Sequence, residues 1–153
     1  MKIFRTLLTL AFASILSVSA LAQEHGTKDE AKAMANAALA HIKKVGNEQA
    51  FKDFTTDKAE WSKKDLYVFA MDTKGVVVAH GANEKLVGKN LIDLKDQNGK
   101  AFAREFIEVG TTKGEGWVDY DWAHPTTKKV EGKTSYIKRI PGFDGFVAVG
   151  VYR

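Results

Sequence analysis

The sequence predicts an α+β domain, helices first and then five strands forming one antiparallel sheet. Three observations carry this expectation. Apolar residues recur at helical spacing over residues 27–45, the spacing changes at residue 66 to runs of strand formers, and short polar turns separate those runs.

The elements follow in order. Thr27 with Glu30 three residues on is a capping-box pattern. Behind it Ala31, Met34, Ala38, Ile42 and Val45 share one helical face. Gly46-Asn47 breaks this helix, residues 48–54 form a second short one carrying Phe51 and Phe54, and 55–64 is a polar connector holding Trp61. Residues 66–71 and 76–80 are the arms of a hairpin about Asp72-Thr73-Lys74-Gly75. Both arms are apolar on both faces, which predicts cover on each side. Residues 81–99 are irregular, and 98–109 are helical with Phe102, Phe106 and Ile107 inward. Residues 114–122, 130–140 and 145–152 complete the five strands, with no internal repeat and no linker to a second domain.

The N-terminus has a different character. Lys2 and Arg5 precede an uncharged apolar run over 6–21 that closes on Ala20-Leu21-Ala22. That pattern predicts a signal peptide over 1–22, leaving one mature domain over 23–153. An uncleaved anchor needs a longer run, roughly 20 apolar residues or more. No later segment escapes charge for long enough to span a membrane, so no stable insertion is expected after cleavage. Removing Lys2 and Arg5 lowers the formal charge from +4 to +2, and no dense basic tract remains to meet nucleic acid. Cysteine is absent, which excludes thiol catalysis and thiolate metal sites.

Enzyme templates fail in turn. There is no G-x-S-x-G, no H-E-x-x-H, no phosphate-binding loop and no dinucleotide fingerprint. His25, His41, His80 and His124 are scattered, with His25 and His41 expected to face solvent. Asp96-Gln97-Asn98-Gly99 with Glu105 imitates part of a calcium loop, but Leu94 stands where the first ligand belongs, so a helix-capping turn is expected. The expectation is a protein that is not an enzyme and needs neither metal nor cofactor. The aromatic C-terminal half is more informative. Val118, Tyr120 and Trp122 share one strand face opposite Trp117, Asp119 and Asp121; Lys133, Ser135 and Ile137 share another, opposite Thr134, Tyr136 and Lys138. An aromatic core with a charged edge explains this, and so does a concave pocket in which a lysine beside tyrosine hydroxyls holds a carboxylate.

Leu66-Tyr67-Val68-Phe69-Ala70-Met71-Asp72-Thr73-Lys74-Gly75, then Ala79-His80 and Leu86-Val87-Gly88-Lys89-Asn90-Leu91, resemble the single Cache domain family. So do Gly116-Trp117-Val118-Asp119-Tyr120, Lys133-Thr134-Ser135-Tyr136-Ile137-Lys138 and the closing Gly150-Val151-Tyr152. The resemblance implies a PAS-like extracellular sensor, a long helix on a five-stranded antiparallel sheet, that holds a small metabolite such as a short organic acid. His80, Tyr120, Lys133 and Tyr136 fall in or beside those blocks, and Phe69 and Trp122 are the aromatics for a ligand's carbon chain. The choice of these six is chemical inference rather than a family motif. Receptor members carry a membrane helix on each side and a cytoplasmic output. This chain is therefore expected to act as a periplasmic or secreted binding domain through a membrane sensor kinase or chemoreceptor. The alternative is a ligand-free interaction or regulatory protein of an envelope sensor system.

Export with cleavage after Ala22 is directly testable. Mass spectrometry of the periplasmic protein should find Gln23, cyclised or not, as the first residue. Recovery only in the membrane fraction with Met1 intact would overturn it.

Overall fold

The computed structural model describes residues 24–153, and the expected signal peptide over 1–22 lies outside them. Helix α1 spans Lys28–Val45. Its capping box is formed: Thr27 Oγ1 accepts from the Glu30 N–H at 3.2 Å, and Glu30 Oε2 accepts from the Thr27 N–H at 2.8 Å. Ala31, Met34, Ala35, Ala38 and Ile42 are buried on its inner face. Val45, expected on that face, is exposed at the last helical position, where the chain turns at Gly46 into α2 (Asn47–Thr56). Gly46 adopts φ +86°, a backbone conformation that glycine takes without Cβ strain.

The connector expected over 55–64 is ordered. Asp57 caps a four-residue helix, α3 (Lys58–Trp61), and leads into a two-residue strand, β1 (Ser62–Lys63), paired with the start of β2 (Leu66–Asp72). The sheet therefore has six strands rather than five. Elements of four and two residues are too short to show a period, which is why the sequence pattern does not reveal them. The remaining strands are β3 (Val77–His80), β4 (Glu115–Ala123), β5 (Val130–Arg139) and β6 (Gly145–Tyr152). All pairings are antiparallel, in the order β1-β2-β6-β5-β4, with β3 also on β2.

Both faces of the sheet are covered, as the apolar hairpin requires. One face packs on α1, α2 and α3 through Phe54, Trp61, Val68, Ala70, Ile140, Val147 and Val149. The opposite face packs on α4 (Phe102–Glu108) and on the segment 81–101, here called the strap. Helix α4 begins later than the expected residue 98, because Asp96–Gly99 is a turn. Asp96 Oδ1 accepts from the N–H groups of Asn98 and Lys100, both at 2.9 Å, and its Oδ2 accepts from the Asp121 N–H of β4 at 3.1 Å. That carboxylate closes a turn and ties the strap to the edge strand. At the other edge the strap runs along β3: Val77 N–H donates to Lys89 O and Leu91 N–H to Gly75 O, each at 2.9 Å. These bonds occupy edge groups that would otherwise be open to pairing.

Ala38 is fully buried where α1 meets the sheet. Ala38→Glu should cost several kcal/mol, by overpacking and by burying a charge. A shift in the denaturant midpoint worth under about 0.5 kcal/mol would place that face in solvent instead.

Candidate functional site

Strand alternation delivers the odd-numbered side chains Tyr67, Phe69 and Met71 of β2 to the strap face. His80 joins them from β3, Tyr120 and Trp122 from β4, Phe102 and Phe106 from α4, and Leu91 from the strap. Together they enclose a cavity of about 20 Å³, room for about one water molecule. Beside it lies an open depression of about 330 Å³ between the strap at Ala82–Leu86 and the turn at 123–128. Tyr67, His80 and Trp122 border both, so they stand as the wall between depression and cavity.

The polar groups at this wall are the His80 imidazole, the Tyr67 hydroxyl and the Trp122 indole. His80 Nδ1 accepts from the N–H groups of Ala82 at 3.3 Å and Asn83 at 3.0 Å, which assigns the ring proton to Nε2. The His80 backbone N–H is held by Thr55 Oγ1 at 3.1 Å, so α2 helps to place the ring. Burial, with the nearby amines of Lys133 and Lys58 adding to it, lowers the His80 pKa to about 3. The Tyr67 and Tyr120 hydroxyls are pushed well above the ordinary phenol value by burial, so both stay protonated. Tyr120 and Ser135 share a hydrogen bond at 2.9 Å, and the Tyr67 and Tyr152 hydroxyls lie 3.3 Å apart.

Lys133 has no exposed surface. Its Nζ donates to the Tyr67 hydroxyl at 2.7 Å and lies 4.1 Å, 4.8 Å and 5.5 Å from the ring centres of Tyr67, Tyr152 and Phe69. Among the described residues no carboxylate is within ion-pair distance of it. Burial holds its pKa well below the ordinary lysine value, against a smaller opposing pull from the charge of Asp65. The stem fits because β6 carries Gly150 alongside: a Cβ there would stand 2.1 Å from Lys133 Cε and 2.3 Å from Ser135 Oγ.

Of the six residues singled out in the sequence, Phe69, His80, Tyr120 and Trp122 line the cavity. Lys133 sits behind the Tyr67 hydroxyl rather than on the cavity wall. Tyr136 is not brought to this group. It lies on the helix face, its ring 5.3 Å from Trp117, its hydroxyl donating to Glu115 and the Lys32 ammonium 5.3 Å over its ring. An odd spacing from Lys133 puts it on the other side of the pleat. The six omit Tyr67, although its parity with Phe69 on one strand is a signal that points to it.

The histidines are less scattered than their numbering suggests. His41 Nε2 meets Asp53 Oδ2 at 2.7 Å and its ring packs 5.0 Å from Trp61, so it bridges α1 and α2 instead of facing solvent. His25, half exposed, places Nδ1 2.7 Å from Asp65 Oδ2, and His124 Nε2 lies 3.6 Å from the same oxygen. The three ligand-type atoms fall within 4.8 Å of one another. However, His124 Nδ1 faces the N–H groups of Thr126 at 3.2 Å and Thr127 at 3.4 Å, which leaves the ring proton on Nε2, where a metal would need a lone pair. With Gly26 N–H donating to Asp65 Oδ1 at 2.7 Å, the group is a hydrogen-bonded clasp on the entry to α1.

The sequence profile of the Cache domain matches residues 8–153. Among curated proteins, the methyl-accepting chemotaxis protein McpP of Pseudomonas putida is 30% identical over 88 residues, 58% of this chain and 16% of McpP. The sensor histidine kinase MctS of Rhizobium johnstonii is 30% identical over 89 residues, 58% of this chain and 19% of MctS. The chain thus spans under one fifth of the length of either relative. Among solved structures, a methyl-accepting chemotaxis protein of Vibrio parahaemolyticus RIMD 2210633 superposes with a TM-score of 0.70 at 28% identity, covering 82% of this chain and 87% of that one. A Cache chemosensory domain solved for carboxylic acid recognition superposes equally well, TM-score 0.70, at 23% identity over 81% of this chain and 91% of its own. Among the described residues no helix is long and apolar enough to cross a membrane.

The neutral state of His80 gives a pH prediction. Its folded pKa of about 3 lies below the ordinary value of 6.5, so the unfolded chain takes up this proton first. The stability held by neutral His80 is complete above pH 6.5 and falls with acid, by about 1.4 kcal/mol per pH unit until about pH 3. Denaturant midpoints of His80→Gln should fall less steeply than wild type across that window, and parallel curves would show that the ring charges freely in the fold.

Proposed function

The chain belongs to the Cache domain family, and on that premise we propose that it is a periplasmic binding domain for a short organic acid, acting through a membrane sensor kinase or chemoreceptor. The observation that carries this reading is Lys133, an amine taken wholly out of water with no carboxylate beside it, at the back of an aromatic cavity. A buried ammonium without a counter-charge is costly by several kcal/mol, and an arriving anion removes that cost. The groups around the cavity fit the same ligand: His80 Nε2–H, the tyrosine hydroxyls and the Trp122 indole can all donate, and neither the cavity nor the depression is lined by Asp or Glu. An acid carrying an ammonium group would find no partner for it, which favours acids without one. The sizes favour a short carbon chain against Phe69 and Trp122, because the aromatic wall encloses little space.

Relatives support the sensory role. McpP is a chemotaxis protein, MctS is a sensor kinase, and a Cache neighbour recognises carboxylic acid. The periplasmic location rests on the signal-peptide pattern of residues 1–22. One observation favours the second reading, a ligand-free regulator of an envelope sensor system: a cavity of about 20 Å³ is nearly a filled core.

A thermal-shift screen of the domain against short carboxylates separates the two. A ligand at about 100 times its dissociation constant should add roughly 2.7 kcal/mol, and no shift with any acid would favour the regulator. Lys133→Met keeps most of the stem and removes the charge. It should leave the fold intact and weaken binding by about 1.5–3 kcal/mol, roughly ten- to a hundredfold. Unchanged affinity by calorimetry would remove Lys133 from the site.

A further inference from the structure

We infer that this site takes its acid together with one proton, which lodges on the Lys133 amine as the carboxylate reaches it. The inference rests on the carboxylate reading and concerns what else that binding step must move.

The surroundings of Nζ in the empty domain favour a neutral amine. Titratable side chains of four strands stand around it. From β2 comes the Tyr67 hydroxyl, from β6 Tyr152, from β4 Tyr120 and from β3 the ring of His80. The three phenols stay protonated and His80 stays neutral, in each case chiefly through burial. Asp65 is the acid whose charge reaches Lys133, and its oxygens are already engaged by Gly26, His25 and His124. The ring faces of Tyr67, Tyr152 and Phe69 do attract a cation. Against them stands the loss of the whole hydration shell, which is the larger effect for an ammonium with no counter-charge. A neutral amine needs far less, and the Tyr67 hydroxyl at 2.7 Å serves it. The lowered affinity of Lys133 for its proton follows from the same burial.

An ionised carboxylate beside Nζ reverses this balance, because it supplies both the counter-charge and two acceptor oxygens. The balanced event is neutral amine, carboxylate and one proton from bulk water going to an ammonium–carboxylate pair. One N–H bond forms, and the site's net charge is unchanged. Above the midpoint at which the empty Lys133 loses its proton, each pH unit must therefore weaken binding tenfold. Below that midpoint affinity is flat until the acid itself protonates.

The test is calorimetry with acetate and propionate at about pH 9, where an ordinary lysine is still charged and a short acid is fully ionised. Titrations in two buffers of different ionisation enthalpy should give an uptake approaching one proton per acid bound. Acid bound with no uptake would overturn the inference and leave the carboxylate reading standing. Binding that strengthens from about pH 9 to about pH 6 supports the inference, and failure of both acids to bind at either pH would overturn that reading and this inference with it. Carbon-13 NMR of the lysine ε-methylenes reads the empty site independently, with Lys133 assigned through its bonds to the backbone. Its midpoint should fall well below those of the surface lysines; a midpoint among theirs overturns the inference whatever binds.

Discussion

Lys133 can lie flat against the sheet only because its neighbour on β6 has no side chain. A Cβ at Gly150 would occupy the space of Cε and of the Ser135 hydroxyl. With that space open, the stem crosses the sheet and the amine ends among Tyr67, Tyr152 and Phe69. The rest of the strap face follows from having to seal an amine away from water. Tyr67 gives it an acceptor, Tyr152 is held by its own bond to Ala123 O at 2.8 Å, and Tyr120 is held by Ser135. Phe102 and Phe106 then close the cavity by packing on Tyr120, their ring centres 5.0 Å and 4.9 Å away.

The two faces of the sheet divide the work. On the helix face, small residues of α1 approach closely and the buried contacts are mainly apolar. On the strap face, polar groups are admitted, paired with one another or aimed at the cavity. Asp65 connects the two sides. It fixes the entry to α1 through Gly26 and His25, reaches His124 beside Tyr152, and exerts its charge on Lys133. The start of the long helix and the amine at the site therefore share the influence of one carboxylate.

Much of this is legible in residue pattern. The capping box, the inner stripe of α1, the hairpin covered on both sides and the alternation on β4 and β5 are all consequences of fixed periods, and the fold class follows from them. Parity on a strand also assigns each residue to a face, and four of the six residues singled out in the sequence meet at the cavity. The same parity argues against grouping Tyr136 with Lys133, and the two lie on opposite sides of the sheet. What pattern does not encode is contact between distant segments. That Asp65 gathers His25 and His124, 40 and 59 positions away, depends on how a turn with Lys64 at φ +59° meets the end of β4. That Lys133 needs Gly150 depends on strand register, which the runs of strand formers leave open.

The tightness of the cavity then has a consequence for how an acid is admitted. Room for one water does not hold a carboxylate with even two carbons, so a ligand enters only if part of the wall gives way. On β2 and β4 that wall is held by full ladders of hydrogen bonds. The strap is held to β3 by backbone bonds and by the Asn83 N–H to His80 Nδ1, and to β4 by Asp96, Gln97, Asn98 and Lys100. Its Ala82–Leu86 portion borders the open depression on one side and His80 on the other. Its Ala82 and Asn83 N–H groups both meet His80 Nδ1, so any yielding of this portion also removes what orients the imidazole at the cavity wall.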